Sequence, residues 1–139
     1  MHQIISEKGM EKFVTIIGYV PDEEMLNNYQ KSLLFVLPSK FEPFGMTTQE
    51  AMACGKAVVA SQYGGIRNVI EHEINGMLVD PQNAREFADA MLKLIRNKGF
   101  RETIGLKAHE IINESYSWEA IAARFVDFFA DNSAHLISG

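Results

Sequence analysis

Short apolar runs alternate with amphipathic stretches along most of this chain. Leu33-Leu34-Phe35-Val36-Leu37 is continuously apolar, the pattern of a strand buried on both faces. Pro38 ends it, because proline has no N–H for a ladder. Ala57-Val58-Val59-Ala60 repeats the pattern, and Met77-Leu78-Val79 is a shorter version after the turn signal Asn75-Gly76. Phe13-Val14-Thr15-Ile16-Ile17 is β-rich and closed by Gly18, which predicts a further strand. His2 to Lys8 reads as a short helix stopped by Gly9. Pro21-Asp22-Glu23-Glu24 opens a helix to about Lys31, with acids at the positive end of its dipole and Met25, Leu26 and Tyr29 on one face. Met46 to Cys54 reads as a helix closed by Gly55, and Gly64-Gly65 opens another through about Glu71. Ala84, Phe87, Ala88, Met91, Leu92 and Ile95 recur at helical spacing, predicting a helix to about Asn97. Phe100–Glu114 and Trp118–Phe129 complete the series, the last with Ser117 as N-cap. Residues after Asp131 are expected to fray. Strands alternating with helices give an α/β class with a doubly wound parallel sheet of about four strands.

The chemistry concentrates between Pro38 and Glu50. A strand, a loop containing Gly45 and a helix N-terminus follow one another there. The first N–H groups of a helix lack intrahelical partners and sit at its positive end, so this is a candidate anion site. Gly45, without a Cβ, lets a ligand approach the backbone closely. Glu42 lies in the loop and Glu50 about one turn into the helix. Carboxylates do not bind phosphate, but they accept hydrogen bonds from sugar hydroxyls. Backbone N–H groups for phosphate beside two acceptors for sugars point to a sugar nucleotide.

Composition narrows the reading. The 139 residues suffice for one domain with a real core, and 47% apolar content is a globular value. A net charge of −5 argues against a general nucleic-acid or anionic-membrane binder. It leaves a nucleotide ligand open, because one loop can hold a diphosphate locally. Cys54 is the single cysteine, which excludes an internal disulfide framework and fits a reducing cytosol. His2, His72, His109 and His135 are scattered without ligand spacing, so no metal is expected. No apolar signal segment opens the chain, and no run is long enough to span a bilayer.

Glu42 and Glu50, with seven residues between them, resemble the two-glutamate motif of retaining glycosyltransferases with the GT-B fold. The likeness is to family 4, the group of sucrose-phosphate synthase. Pro38 to Thr47 and Glu50 to Ser61 match that family almost residue for residue. The resemblance continues through Gly64-Gly65, Asn75 to Pro81 and Tyr116-Ser117-Trp118. It implies that Glu42 is catalytic, meeting donor-sugar hydroxyls near the reacting carbon, and that Glu50 accepts both ribose hydroxyls. It implies further that the backbone of Phe44, Gly45, Met46 and Thr47 reaches the sugar and diphosphate, and that Tyr19 and Val20 border the base. The plainer alternatives are a solvated loop carboxylate for Glu42, an exposed helix carboxylate for Glu50, core packing for Phe44 and Met46, and a surface turn at Tyr19-Val20. Lys40 reads as a solvated loop lysine, and Cys54 as a buried structural thiol. Arg67 and Asn68 depart from the family, which commonly has an acidic residue shortly after the glycines.

The implied activity is transfer of a hexose from a UDP-, ADP- or GDP-sugar to an acceptor hydroxyl with retention, without metal or other cofactor. The family's opening strands, with a Gly-rich turn carrying a basic pair, have no counterpart here, and neither has its acceptor-binding half. Residues 1–139 are therefore expected to be part of the C-terminal, Rossmann-like nucleotide-sugar-binding domain, lacking its first two strands and cut from a longer enzyme. Little activity is expected of them alone, with the acceptor held by the missing domain. Strand edges left open at Phe13–Ile17 or Leu33–Leu37 predict a homodimer or a repacked sheet. The expected location is cytoplasmic, compatible with a parent enzyme peripheral to a membrane. Two other classes stay open: a non-catalytic nucleotide-sugar-binding module, and a structural fragment without ligand.

Overall fold

The structure, a computed structural model, describes the backbone over residues 2–136 and side chains over residues 2–131. A three-stranded parallel sheet in the order β1-β2-β3 carries the fold: β1 (Phe35–Leu37), β2 (Val58–Ser61) and β3 (Met77–Val79). Phe35, Val36 and Leu37 register with Val58, Val59 and Ala60, and Val59, Ala60 and Ser61 with Met77, Leu78 and Val79. β2 is central, and all of its residues are buried. That is why it reads as continuously apolar: helices cover both faces of a parallel sheet. Full burial of Val58 and of Val59 contributes about 1.5–3 kcal/mol each.

The α-helices among the described residues are α1 (His2–Glu7), which buries no residue, α2 (Asp22–Lys31), α3 (Met46–Ala53), α4 (Ala84–Arg96), α5 (Lys98–Ser115) and α6 (Trp118–Leu136). On one side Val58 and Ala60 of β2 pack with Ala51 and Met52 of α3, Tyr29 of α2, and Ala108 and Ile112 of α5. On the other, Val59 packs with Met77, Val79, and Phe87, Ala90 and Leu94 of α4, while Ile104 brings α5 into this cluster too. α3 ends as its glycine predicts. Gly55, at φ 69, donates to Met52 O at 2.8 Å and Lys56 donates to Ala51 O at 3.0 Å, the paired bonds of a Schellman motif. Ser117 caps α6, its Oγ accepting from Ala120 N–H at 3.2 Å. α6 continues as a helix to Leu136 rather than fraying at Asp131. Residues 137–139 lie outside the described residues.

Two expectations are corrected. Phe13–Ile17 forms no strand. The chain turns there through bonds from Phe13 and Val14 N–H to Met10 O, and Phe13, Val14, Ile16 and Ile17 are exposed. β-propensity alone does not make a strand; a ladder partner does, and none faces this run among the described residues. The expected repacking of this segment against Leu33–Leu37 therefore does not occur, and among the described residues the outer edge of β1 has no strand partner. The second correction concerns Gly64 to Glu71. In place of a helix there is a 3-10 turn at Gly65–Asn68, after which Asn75 clamps the chain. Its Oδ1 accepts from Glu71 N–H at 2.7 Å and its Nδ2 donates to Val69 O at 3.0 Å.

Candidate functional site

The loop from Pro38 to Gly45 leaves the C-terminal end of β1 and delivers the chain to α3. Its path is fixed by close backbone approach. Glu42 and Gly64 form an isolated parallel bridge, and Gly65 N–H donates to Glu42 O at 2.9 Å. A Cβ on Gly64 would stand 2.1 Å from that same oxygen, and one on Gly65 would stand 2.0 Å from Pro43 O. Gly64 also sits at φ 93, a conformation that side chains disfavour. The glycine pair is thus the seat on which the Glu42 backbone rests. The Glu42 side chain turns toward its own loop: Oε1 accepts from Gly45 N–H at 3.0 Å. Among the described residues, nothing donates to Oε2.

Gly45 sits at φ 68 as N-cap of α3 and supplies no side-chain cap. Its lack of a Cβ makes room for the side chain of Ile66, whose Cδ1 would lie 2.6 Å from a Cβ there. A neighbouring side chain, rather than open space for a ligand, occupies that gap. The first helical bond runs from Gln49 N–H to Gly45 O at 2.9 Å. Among the described residues none accepts from the N–H groups of Met46, Thr47 or Thr48; Met46 and Thr47 are exposed and Thr48 is buried, so the positive end of α3 is open at its first two residues.

Glu50 stands one turn further, exposed on α3. Its Oε2 accepts from Tyr29 Oη at 3.0 Å, a contact from the last turn of α2. Burial, then the hydrogen bond to Glu50 and the negative charge there, push the Tyr29 hydroxyl up to about 12, so it remains a donor at neutral pH. Glu50 and Tyr29 line a cavity of about 300 Å³ between α2 and α3, with Asp22, Met25, Leu26, Ala53 and Cys54. The Cys54 thiol is half-buried, and burial pushes its pKa up, which suits an inert thiol better than a nucleophile.

The remaining site residues fall around these anchors. Phe44 and Met46 are exposed, at 73% and 67%, so core packing is not their role. Phe44 borders a smaller hollow of about 170 Å³ with Pro43, Gln49, Gly65, Asn68 and Tyr116. Thr47 is exposed at the start of α3. Val20 is buried and Tyr19 is 92% exposed; only the N-cap Pro21 separates them from α2, whose Asp22 shares the Glu50 cavity. The histidines with described side-chain bonds serve the fold. His72 Nδ1 accepts from Leu78 N–H, and His109 Nδ1 meets Ala53 O at the end of α3. The residue that sequence reasoning missed is Tyr29. It reads as one apolar position on a helix face, and nothing local signals that its hydroxyl meets a carboxylate 21 residues away.

Known proteins share both sequence and geometry with this chain. The profile of a family described as glycosyl transferases group 1 matches residues 1–111. A glycosyltransferase of Methanocaldococcus jannaschii, itself uncharacterised, is 34% identical over 129 residues, 93% of this chain and 33% of the relative. The structure of sucrose-phosphate synthase from Thermosynechococcus elongatus superposes with a TM-score of 0.86 at 31% identity, over 96% of this chain and 34% of that one. The Anabaena protein HepE, solved in complex with UDP, superposes with a TM-score of 0.86 at 30% identity, over 94% of this chain and 35% of that one. The chain spans about a third of the length of the curated relatives it matches.

Proposed function

This chain belongs to the glycosyl transferases group 1, proteins of the GT-B fold, and on that premise we propose that it holds the nucleotide-sugar donor for a hexosyl transfer that retains configuration. The observation that carries the proposal is the arrangement around α3. An uncapped helix N-terminus lies between two carboxylates, each anchored through one oxygen and each with its other oxygen unclaimed by the described residues. The N–H groups of the exposed residues Met46 and Thr47 suit the diphosphate, and they stabilise the negative charge that grows on it as the sugar–oxygen bond breaks. Glu42 Oε2 suits the hydroxyls of the donor sugar, holding the ring while positive charge develops at the reacting carbon. Glu50 Oε1 suits the ribose hydroxyls. Tyr19 and Val20 are proposed to border the base. Solved relatives bind UDP and UDP-glucose, which supports a nucleoside diphosphate hexose as donor.

Because the chain spans only part of its relatives, we assign the acceptor to the remainder of such an enzyme, and expect residues 1–139 to bind donor more readily than they turn it over. The decisive experiment offers UDP-, ADP- and GDP-hexoses to the full-length protein and follows nucleoside diphosphate release, with NMR of the product anomer. Acceptor-dependent release with retained anomeric configuration is expected. Binding without release would favour a nucleotide-sugar-binding module, and an inverted product would overturn the retaining chemistry. The open edge of β1 is proposed as a site of self-association, because β1 has the apolar sequence of a central strand. A scattering mass that stays monomeric as concentration rises would remove that part.

A further inference from the structure

We infer that Tyr29 is the positioning residue of the Glu50 carboxylate, and so sets how strongly the site prefers a ribonucleotide to its 2′-deoxy counterpart. The inference rests on the reading of Glu50 as the ribose acceptor. An exposed glutamate on a helix surface samples several rotamers, and an acceptor for two vicinal hydroxyls works only when its plane is held. Glu50 is exposed, but its Oε2 is tied to the Tyr29 hydroxyl at 3.0 Å. A carboxylate has about four acceptor positions. Tyr29 occupies one of them, and Oε1, with the second lone pair of Oε2, remains for the hydroxyls at C2′ and C3′.

What makes Tyr29 an anchor is its own immobility. The residue is 7% exposed and packs with Ala51, Met52 and Val58 in the core. Phe35 of β1 meets it edge-on, with ring centroids 5.7 Å apart at 69°. The backbone at the end of α2 is fixed as well. Tyr29 O accepts from Ser32 Oγ at 2.8 Å and from Ser32 N–H at 3.2 Å, while Lys56 Nζ donates to Gln30 O at 2.7 Å. A rigid ring on a pinned helix end therefore presents one hydroxyl to the surface, and that hydroxyl goes to Glu50. Its ordinary pKa near 10 is raised further by burial, so the donor role holds across the pH range of enzyme assays. The same cavity that Tyr29 and Glu50 line gives the nucleoside room beside them.

The test is a double-mutant cycle in the full-length protein, read by calorimetry. UDP, ADP and GDP are titrated first, and the tightest binder is then compared with its 2′-deoxy form. Tyr29→Phe keeps the ring and its packing and removes the hydroxyl. It should weaken the ribonucleotide about three- to tenfold, the range of one net hydrogen bond. It should leave the deoxynucleotide less affected, so that the ribo/deoxy ratio falls, and should raise donor KM with kcat unchanged. On a Glu50→Ala background, Tyr29→Phe should have no effect. If Glu50→Ala weakens the ribonucleotide while Tyr29→Phe leaves the ribo/deoxy ratio unchanged, the positioning role is overturned and the ribose reading stands. Equal losses from Tyr29→Phe with and without Glu50 also overturn it, since the hydroxyl then acts elsewhere. If Glu50→Ala has no effect, or none of the diphosphates binds, both readings fall.

Discussion

The two carboxylates of the site are held by opposite means. Glu42 is placed by backbone: its loop lies on Gly64 and Gly65, and its Oε1 is tied to Gly45 N–H three residues on. Glu50 has an ordinary helical backbone, and its side chain is placed by a single side-chain donor from another helix. A carboxylate fixed by backbone geometry depends on residues that can accept no side chain, even though they need not touch the ligand. One fixed by a hydroxyl depends on that hydroxyl's protonation. The two positions should therefore fail under different perturbations, and each perturbation should spare the other.

The largest effect is expected from Gly64→Ala. The new Cβ would overlap Glu42 O at 2.1 Å at a residue already at φ 93, so either the loop moves or the strain remains. A cost of about 2–4 kcal/mol is expected from overlap and strain together. Urea unfolding should show it as a lower midpoint with unchanged slope. On the proposed roles, donor turnover by the full-length protein should fall steeply, while affinity for nucleoside diphosphate should change little. An unchanged unfolding midpoint would show that the Glu42 loop does not rest on Gly64.

A smaller effect, and the converse one, should come from alkaline pH. Tyr29 is pushed up from its ordinary value near 10 to about 12, first by burial and then by its bond to Glu50 and that residue's charge, with a lesser contribution from Cys54. The neutral hydroxyl is favoured by the folded state. Its contribution to stability is therefore complete below pH 10 and is lost as the pH rises through about 12. Over that window the tyrosine of the unfolded chain ionises while the folded one is held protonated, and only near the upper end does the donor to Glu50 itself become a like charge. The bond between Gly45 N–H and Glu42 has no titrating donor and should survive. Unfolding midpoints followed from pH 9 to 12 should fall less steeply in Tyr29→Phe than in wild type. Parallel curves would show that Tyr29 is not the group responsible.

What could be read from the sequence follows the same division. Apolar runs with Pro38, Gly55 and Ser117 as punctuation placed β1, β2, β3 and most helices, because those signals act within a few residues of chain. Glu42, Gly45 and Glu50 could be singled out because a strand, a loop and a helix N-terminus occur together in sequence. Phe13–Ile17 misled because a β-rich run lacks meaning without a neighbour to pair with, and its side chains are exposed. Gly64-Gly65 looked like a helix start, whereas the glycines serve a tertiary contact with residues more than twenty positions earlier. Tyr29 was visible only as an apolar position; its partner lies on another helix, and such a pair carries no local pattern.

The central claim is that Glu50 holds the nucleotide and Glu42 holds the sugar, and a titration of both ligands against both variants tests it most directly. A nucleoside diphosphate and the matching nucleotide sugar are titrated into wild-type, Glu50→Ala and Glu42→Gln protein. Glutamine at 42 retains an oxygen for Gly45 N–H, so the loop should stay in place. Glu50→Ala should weaken both ligands by the same factor, about ten- to 150-fold, the loss of charge-assisted hydrogen bonds worth about 1.5–3 kcal/mol. Glu42→Gln should leave the diphosphate unchanged and remove only the affinity and turnover that the sugar adds. Loss of diphosphate affinity in Glu42→Gln, with Glu50→Ala binding both ligands as wild type does, would contradict the account.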